Sequence, residues 1–424
     1  MSRKRFDLSL YLVTDRRIAG ERDLKEQVLK AVQGGCTMVQ LREKDIDTRQ
    51  FVEEARALMR ALAGTGVPLI INDRIDVALA ADADGVHIGQ SDMPYEDART
   101  LLGDEKIIGL SVENHQEVLE ANALDVDYIG ISPVFSTATK TDTATPFGLD
   151  GTRQAVLDSL HPCVAIGGMN RKTAGDVMAQ GVDGIAVVSD IMASDEPENV
   201  ARTLRQMVES SRSDWCSEVW QLIEPVRERI WRHPFLLQLA DGSLPQEQFT
   251  AYLQQDRLYL QAYYERMFAI AEMLPDAHDK EMFRAFARIS KEEEEGLHKM
   301  LLGANQLTET MLPMTKEYVE HERWATDTHV PAIALAAIFP CMWIYSAVGA
   351  HLQTIARVDE QHPYGEWIRC YADPMMAQGV EEVKRLLNPM ADTASTLVKA
   401  MMRWAFCQAS KMEYEFCDQI TNKP

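Results

Sequence analysis

Paired cysteines, basic blocks and membrane-length apolar runs are what this 424-residue sequence has least of. Its seven cysteines are odd in number and scattered, which argues against a disulfide framework and for a reduced, cytoplasmic chain. Only 43 Lys and Arg stand against 65 Asp and Glu, a formal net charge of -22 that no basic block offsets. General affinity for nucleic acid or an anionic membrane is therefore not expected, and any anion site has to be built locally from a few cations, backbone amides or a metal. The basic N-terminus leads into an apolar run that stops at Asp15, too short for a signal peptide and suited to a first strand. No stretch is expected to approach the roughly 20 apolar residues that cross a bilayer.

What is present falls into two rhythms. From residue 8 to about 190, eight short β-rich runs alternate with amphipathic segments: SLYLVTD, TMVQLREK, VPLIINDR, DGVHIGQ, KIIGLSV, DYIGISPVF, CVAIGG and DGIAVVSD. That alternation predicts a parallel sheet closed into a (β/α)₈ TIM barrel. An open doubly wound sheet is the rival, but no G-x-G-x-x-G turn follows the first strand. Past SRS at 211–213 the pattern turns helical throughout, which predicts an all-α bundle. The expected domains are 1–211 and 212–424, without internal repeat. KEEEEGLHK reads most simply as a solvated helix face.

Reactive groups of such a barrel collect where its strands end. In chain order these are Gln40, Arg42 and Lys44; Asn72 and Asp73; His87, Gln90 and Asp92; Ser111; Thr137, Thr139 and Lys140; Gly167 and Gly168; Val188 and Ser189. The glycine and Val-Ser turns after the last two strands suit a phosphate held on backbone amides. Three cations exceed what a monophosphate needs, and two acids beside phosphates make sense mainly as ligands of a hard cation such as Mg²⁺. Singly, Asp73 could cap a helix and Asp92 could open a turn, while His87, inside a strand, reads as a structural histidine.

The pieces YLVTD, QLREK, INDR, DGVHIGQSD, GLSV, DYIGISPVFSTATK, VAIGGM and GIAVVSDI occur in this order over residues 8–192. Together they resemble the thiamine phosphate synthases, which join hydroxymethylpyrimidine pyrophosphate to thiazole phosphate. The resemblance implies that Arg42, Lys44, Asn72 and Lys140 hold the pyrophosphate, that Asp73 and Asp92 bind Mg²⁺, and that Ser111 stands beside the departing group. It further implies that Gln40, Thr137 and Thr139 contact substrate and that Gly168, Val188 and Ser189 take the thiazole phosphate. A related thiazole tautomerase binds no pyrophosphate, and the intact set of cations and acids favours the synthase. Met169 and Asp190 depart from the small or apolar residues expected, and Asp190 is tolerable beside a phosphate only if it points away.

In the helical half, Asp256 and Tyr259 are three apart and Cys341 and Tyr345 four apart, so each pair shares a helix face. Glu413 lies in an apolar, aromatic helix, and Tyr318 and Tyr371 occur in TKEYVEH and IRCYADP. By spacing alone, an aromatic stripe and a thiol in an apolar run both read as core. RHPFLLQLADGSLPQEQFTAYLQQDRLYL, KEEEEGLH, MTKEYVEH, FPCMWIYSAVG, YGEWIRCYADP and FCQASKMEYEFCD, over residues 215–420, resemble the thiaminase II or aminopyrimidine aminohydrolase family. That resemblance implies a haem-oxygenase-like bundle, commonly oligomeric, with no metal or cofactor. Cys341 would be the nucleophile, Glu413 the proton carrier, Asp256 the partner of the aminopyrimidine edge, and Tyr259, Tyr318, Tyr345 and Tyr371 its stacking and orienting groups. Cys417 stands where a tryptophan is usual. The expectation is a bifunctional thiamine enzyme with small-molecule substrates. Its alternatives are a synthase carrying a silent binding or oligomerisation module and a phosphate-sugar isomerase barrel.

Overall fold

The computed structural model describes residues 6–136, 145–302, 308–356, 358–359 and 361–421. Thr137, Thr139 and Lys140 lie outside the described residues, as do the side chains of 293–295 and 297–299 in the KEEEEGLHK run. Two compact units form, Met1–Ser213 with Ser395–Ala400, and Asp214–Ala394 with Met401–Pro424.

In the first unit, each β-rich run contributes one strand: β1 Leu10–Val13, β2 Met38–Leu41, β3 Leu69–Asn72, β4 Gly85–Ile88, β5 Ile107–Val112, β6 Tyr128–Ile131, β7 Cys163–Ile166 and β8 Gly184–Val187. They pair in parallel in chain order, and β8 closes on β1. Tyr11 therefore lies beside Met38 on one side and Ala186 on the other. Closure excludes the doubly wound alternative. β1, β2, β3, β6 and β8 are buried at every position, which is why they read as continuous apolar runs rather than alternating ones. Tyr11, Val13, Met38, Ile70, Ile107, Tyr128, Val164 and Ala186 belong to the core inside the ring. Amphipathic helices cover the outside; Thr48–Leu62 buries Phe51, Ala55, Leu58 and Leu62 at helical spacing. Its start is set by Asp47, whose carboxylate accepts the Gln50 amide N–H at 2.9 Å.

The second unit is built on long helices, Gln246–Met273, Ala277–Leu302, Pro313–Asp327, Pro331–Ile355, Pro374–Thr393 and, from Met401 on, Thr396–Thr421, with no strand among its described residues. Two details differ from the sequence expectation. The segment from Trp215 makes two helices, Trp215–Leu222 and Glu224–Trp231, because Pro225 has no N–H to continue the first and fits the opening turn of the second. Pro331–Ile355 is long and apolar enough to cross a membrane by length and composition, contrary to the expectation that no stretch is. Every residue from Ala332 to Tyr345 is buried, so this is a helix packed on all sides inside a bundle. Pro340 sits within it and cannot supply the amide that would close onto the Ala336 carbonyl, one turn of weakness placed directly before Cys341.

Phe406 is fully buried, with its ring 5.9 Å from Trp215, 6.0 Å from Trp343 and 6.2 Å from Phe339. Phe406→Ala should lower the stability of the second unit by about 3–5 kcal/mol. Denaturant titration followed by tryptophan fluorescence measures this, since all 7 tryptophans lie in the second unit, and the barrel transition, followed by far-UV circular dichroism, should stay in place.

Candidate active sites

A cleft of about 350 Å³ opens at the strand ends of the barrel, lined by Gln40, Arg42, Lys44, Asn72, Asp73, Gln90, Asp92, Ser111, Gly168, Val188 and Ser189 together. Arg42, Glu43 and Lys44 directly follow the end of β2 at Leu41. Arg42 and Lys44 reach the cleft while Glu43 is drawn away by Arg16 at 3.1 Å. Arg42 is steadied by Asp15, 3.2 Å away, and Asp15 in turn caps the helix that starts at Arg16. The Lys44 ammonium stands 2.5 Å from Asp73. Asp73 adopts φ +61°, a left-handed conformation that aspartate tolerates better than most residues, and its N–H donates to the His87 carbonyl at 2.9 Å. Asp92 accepts the Gly89 N–H at 2.7 Å. Burial, and then the neighbouring Asp73 carboxylate, hold the Asp92 carboxyl above its ordinary range. The two acids are thus near enough to repel each other, with a lysine beside them.

Round the ring, Gly167 and Gly168 turn with φ +100° and +74°. A Cβ on Gly167 would lie 2.7 Å from the Pro133 Cβ, so this turn admits only glycine. Met169 also lines the cleft. Asp190 is turned to Arg171, accepting its backbone N–H at 3.0 Å and its guanidinium at 3.0 and 3.1 Å, which removes the conflict with a phosphate on the turn. His87 has both ring nitrogens engaged, as a structural histidine would, yet it also lines the cleft.

In the second unit a narrower cavity of about 30 Å³ brings together Asp256, Cys341, Tyr345 and Tyr371. Tyr259, Tyr318 and Glu413 do not line it but are coupled to the same group of side chains. The Tyr318 hydroxyl donates to Glu413 Oε1 at 2.5 Å, and the Tyr259 and Tyr318 rings lie 4.6 Å apart. Burial and then the Cys341 sulfur raise the Tyr259 phenol; for Tyr318, burial and Glu413 come first. Burial, assisted by Asp256, pushes the Glu413 carboxyl up to about 8. It is therefore mostly neutral at pH 7 and able to give a proton.

The sequence profile of the thiamine monophosphate synthase family matches residues 10–191. Over 203 residues the chain is 53% identical to the thiamine-phosphate synthase of Albidiferax ferrireducens, covering 48% of this chain and 93% of that one. This chain belongs to the thiamine monophosphate synthase family. The profile of the TENA/THI-4/PQQC family matches residues 220–423. A relative from Vibrio parahaemolyticus, also a thiamine-phosphate synthase, is 51% identical over 203 residues, 47% of this chain and 98% of its own. Among solved structures, thiamine phosphate pyrophosphorylase from Pyrococcus furiosus is 40% identical, with 49% of this chain and 98% of that chain covered at TM-score 0.45. A TenA homologue from P. horikoshii is 21% identical, with the same shares at TM-score 0.45.

Beyond the family's motifs, several site residues escape a reading of the sequence. Tyr263, Tyr264, Met267, Phe286, Met342 and Met376 complete the walls around Cys341. Tyr252 donates to the Tyr345 hydroxyl at 2.8 Å. Glu322, fully buried, accepts the Tyr259 hydroxyl at 2.6 Å. Its signal was an acid four residues after Tyr318 on one helix face. Cys417, four residues after Glu413, is buried, and burial and then Glu413 push its thiol well up.

Burial also raises Glu322 from 4.5 to about 8. Between those values the unfolded chain has lost this proton and the folded chain keeps it, so stability falls as pH rises. Glu413 contributes in the same direction. Glu322→Gln should flatten that fall between pH 5 and pH 8 without removing it, as measured by urea unfolding across the range.

Proposed function

We propose that the barrel couples hydroxymethylpyrimidine pyrophosphate to a thiazole phosphate, giving thiamine phosphate and pyrophosphate. One arrangement carries the reading. Arg42, Lys44 and the Asp73–Asp92 pair share a cleft with a glycine turn that stands three or four strands away round the ring. That is provision for a pyrophosphate and, separately, for a second phosphate. The C–O bond from the pyrimidine methylene breaks with both electrons going to pyrophosphate. The electron-rich aminopyrimidine delocalises the charge left behind, and the thiazole nitrogen lone pair forms the new C–N bond. The chain's task is leaving-group stabilisation and positioning. Arg42, Lys44 and Asn72 hold the pyrophosphate, Ser111 donates to it, Gln40 orients the pyrimidine, and Gly168, Val188 and Ser189 hold the thiazole phosphate. Thr137, Thr139 and Lys140, outside the described residues, keep the roles the resemblance implies.

Asp73 and Asp92 fit a hard divalent cation, since two oxygen donors crowd together and one carboxyl is raised by the other. Mg²⁺ held there would neutralise charge developing on the departing pyrophosphate.

For the second unit, we infer that it hydrolyses aminopyrimidines, or thiamine itself, to hydroxymethylpyrimidine. Cys341 adds through its sulfur to a ring carbon, its thiol proton passing to the departing amine, or to water when neutral thiazole departs, and Glu413 gives the ring the proton that stabilises the dearomatised adduct. The aminomethyl nitrogen or the thiazole then departs, water adds its hydroxyl to the methylene and gives its other proton to the Cys341 sulfur as that leaves the ring, and Glu413 recovers the ring proton. Asp256 holds the amino edge of the ring, while Tyr259, Tyr318, Tyr345 and Tyr371 stack on it or orient it. The support is the neutral Glu413 carboxyl, hydrogen-bonded to Tyr318 and coupled electrostatically to Asp256.

Asp92→Ala should lower pyrophosphate release by about 10²-fold or more; near-normal turnover would sink the metal assignment. A barrel acting as a phosphate-sugar isomerase would release no pyrophosphate at all.

Cys341→Ser should keep the coupling activity and lose ammonia release from an aminomethyl-aminopyrimidine. If the unaltered protein binds that pyrimidine but never turns it over, the second unit is a binding module.

A further inference from the structure

Five side chains from five strands form one hydrogen-bonded chain across the barrel interior. Gln40 Nε2 on β2 donates to the Tyr11 hydroxyl on β1 at 2.9 Å. The Tyr11 and Tyr128 hydroxyls, on β1 and β6, are 2.9 Å apart. Tyr128 Oη is 3.0 Å from His87 Nδ1 on β4, and His87 Nε2 is 2.8 Å from Ser111 Oγ on β5. The His87 and Tyr128 rings stack at 5.5 Å. Space for them is made by glycine: a Cβ at Gly109 would lie 2.1 Å from Tyr128 Cζ and 2.6 Å from His87 Nδ1, and one at Gly130 would lie 3.1 Å from His87 Cε1.

The chain has a direction. An amide nitrogen can only donate, so the Tyr11 oxygen accepts from Gln40 and the Tyr11 hydrogen is left for the Tyr128 oxygen. The Tyr128 hydrogen then goes to His87 Nδ1. A neutral imidazole that accepts at Nδ1 carries its hydrogen on Nε2 and donates it to Ser111 Oγ. The Ser111 hydrogen is left for the cleft. Run the other way, the Tyr11 hydrogen would face the Gln40 amide, donor against donor, at a site where Tyr11 is 1% exposed. Burial raises both phenols, so both stay protonated and the direction holds at neutral pH.

We propose that His87 is a positioning residue of the barrel site, locked as the Nε2–H tautomer by Gln40, Tyr11 and Tyr128, and that it fixes the Ser111 hydroxyl as a donor aimed at the anionic leaving group. The inference rests on the pyrophosphate-releasing reading of the barrel. A donor whose direction is set before substrate arrives spends nothing on reorientation as charge develops. It also gives the Tyr11–Tyr128–His87 layer beneath the cleft a role beyond filling the barrel.

Two readouts test it on the full-length protein. First, ¹⁵N-histidine NMR of the unaltered protein should show His87, assigned by its loss in His87→Gln, with Nε2 protonated and Nδ1 accepting. An Nδ1–H tautomer overturns the proposal, and this measurement needs no substrate. Second, Tyr128→Phe should lower kcat for coupling about tenfold with KM for thiazole phosphate little changed. The same change in a Ser111→Ala background should cost nothing more. Losses that multiply in that background overturn it, because they show Tyr128 acting through something other than Ser111. Tyr11→Phe serves in the same cycle if Tyr128→Phe does not fold. If the unaltered protein releases no pyrophosphate, the barrel reading fails, and the tautomer measurement still decides the direction of the chain.

Discussion

Closure of β8 onto β1 is the constraint on which the barrel site depends. With Leu10 beside Ile185 and Leu12 beside Val187, the parallel ladder has no edge, and every strand ends on the same rim. Residues far apart in the chain, such as Arg42, Asp92 and Ser189, then face one cleft. The cost of closure is a crowded interior, met where large side chains cross by glycines on the neighbouring strands. Gly109 and Gly130 accept the Tyr128 and His87 rings, so the barrel is filled by polar aromatic groups that satisfy one another rather than by aliphatic packing alone.

The helical unit faces a different constraint, the burial of acids. Asp256, Glu322 and Glu413 are all buried. Burying three ionised carboxylates would be prohibitive, and for two of them the response is to rise to about 8 and take a tyrosine hydroxyl as donor. The stability lost to this arrangement above pH 5 is exchanged for carboxyls that hold protons at neutrality. Such a set is unfavourable as core and useful as acid–base machinery.

Legibility in the sequence followed how local each cause was. The eight strands were legible because each is a short, largely buried apolar run bounded by polar residues. Arg42 and Lys44, the glycine turn and the paired acids were legible because strand ends in a closed barrel have one destination. The break at Pro225 went unread because the apolar pattern continues through it, and helical period outweighed a single proline. The membrane-length apolar span at Pro331–Ile355 was underestimated because its apolar residues are interrupted by Pro340, Cys341, Tyr345 and Ser346, small or amphipathic groups that do not break the run. His87 read as structural because nothing local to DGVHIGQ reveals that its two nitrogens meet residues 24 and 41 positions away. Glu322 was passed over because MTKEYVEHERW looks like a solvated acidic helix until the bundle buries that face.

On the proposed reading, the two sites treat the same heterocycle by opposite electrostatic means. In the barrel the charge to be stabilised is on a leaving group, so fixed cations serve, held in place by Asp15 and Asp73 in a chain of net charge -22. In the bundle the event is addition of a thiol to the ring, and a fixed cation would oppose protonation of the ring nitrogen. A neutral carboxyl that can give a proton and take it back is the better partner there. The same difference separates the sites chemically. The alcohol released by the bundle carries no phosphate for Arg42 and Lys44 to grip, so phosphoryl transfer from another enzyme has to intervene before the barrel can use it. Direct passage of product from one site to the other would therefore gain nothing, and joining the two activities in one chain is better explained by their being made together than by a shared channel.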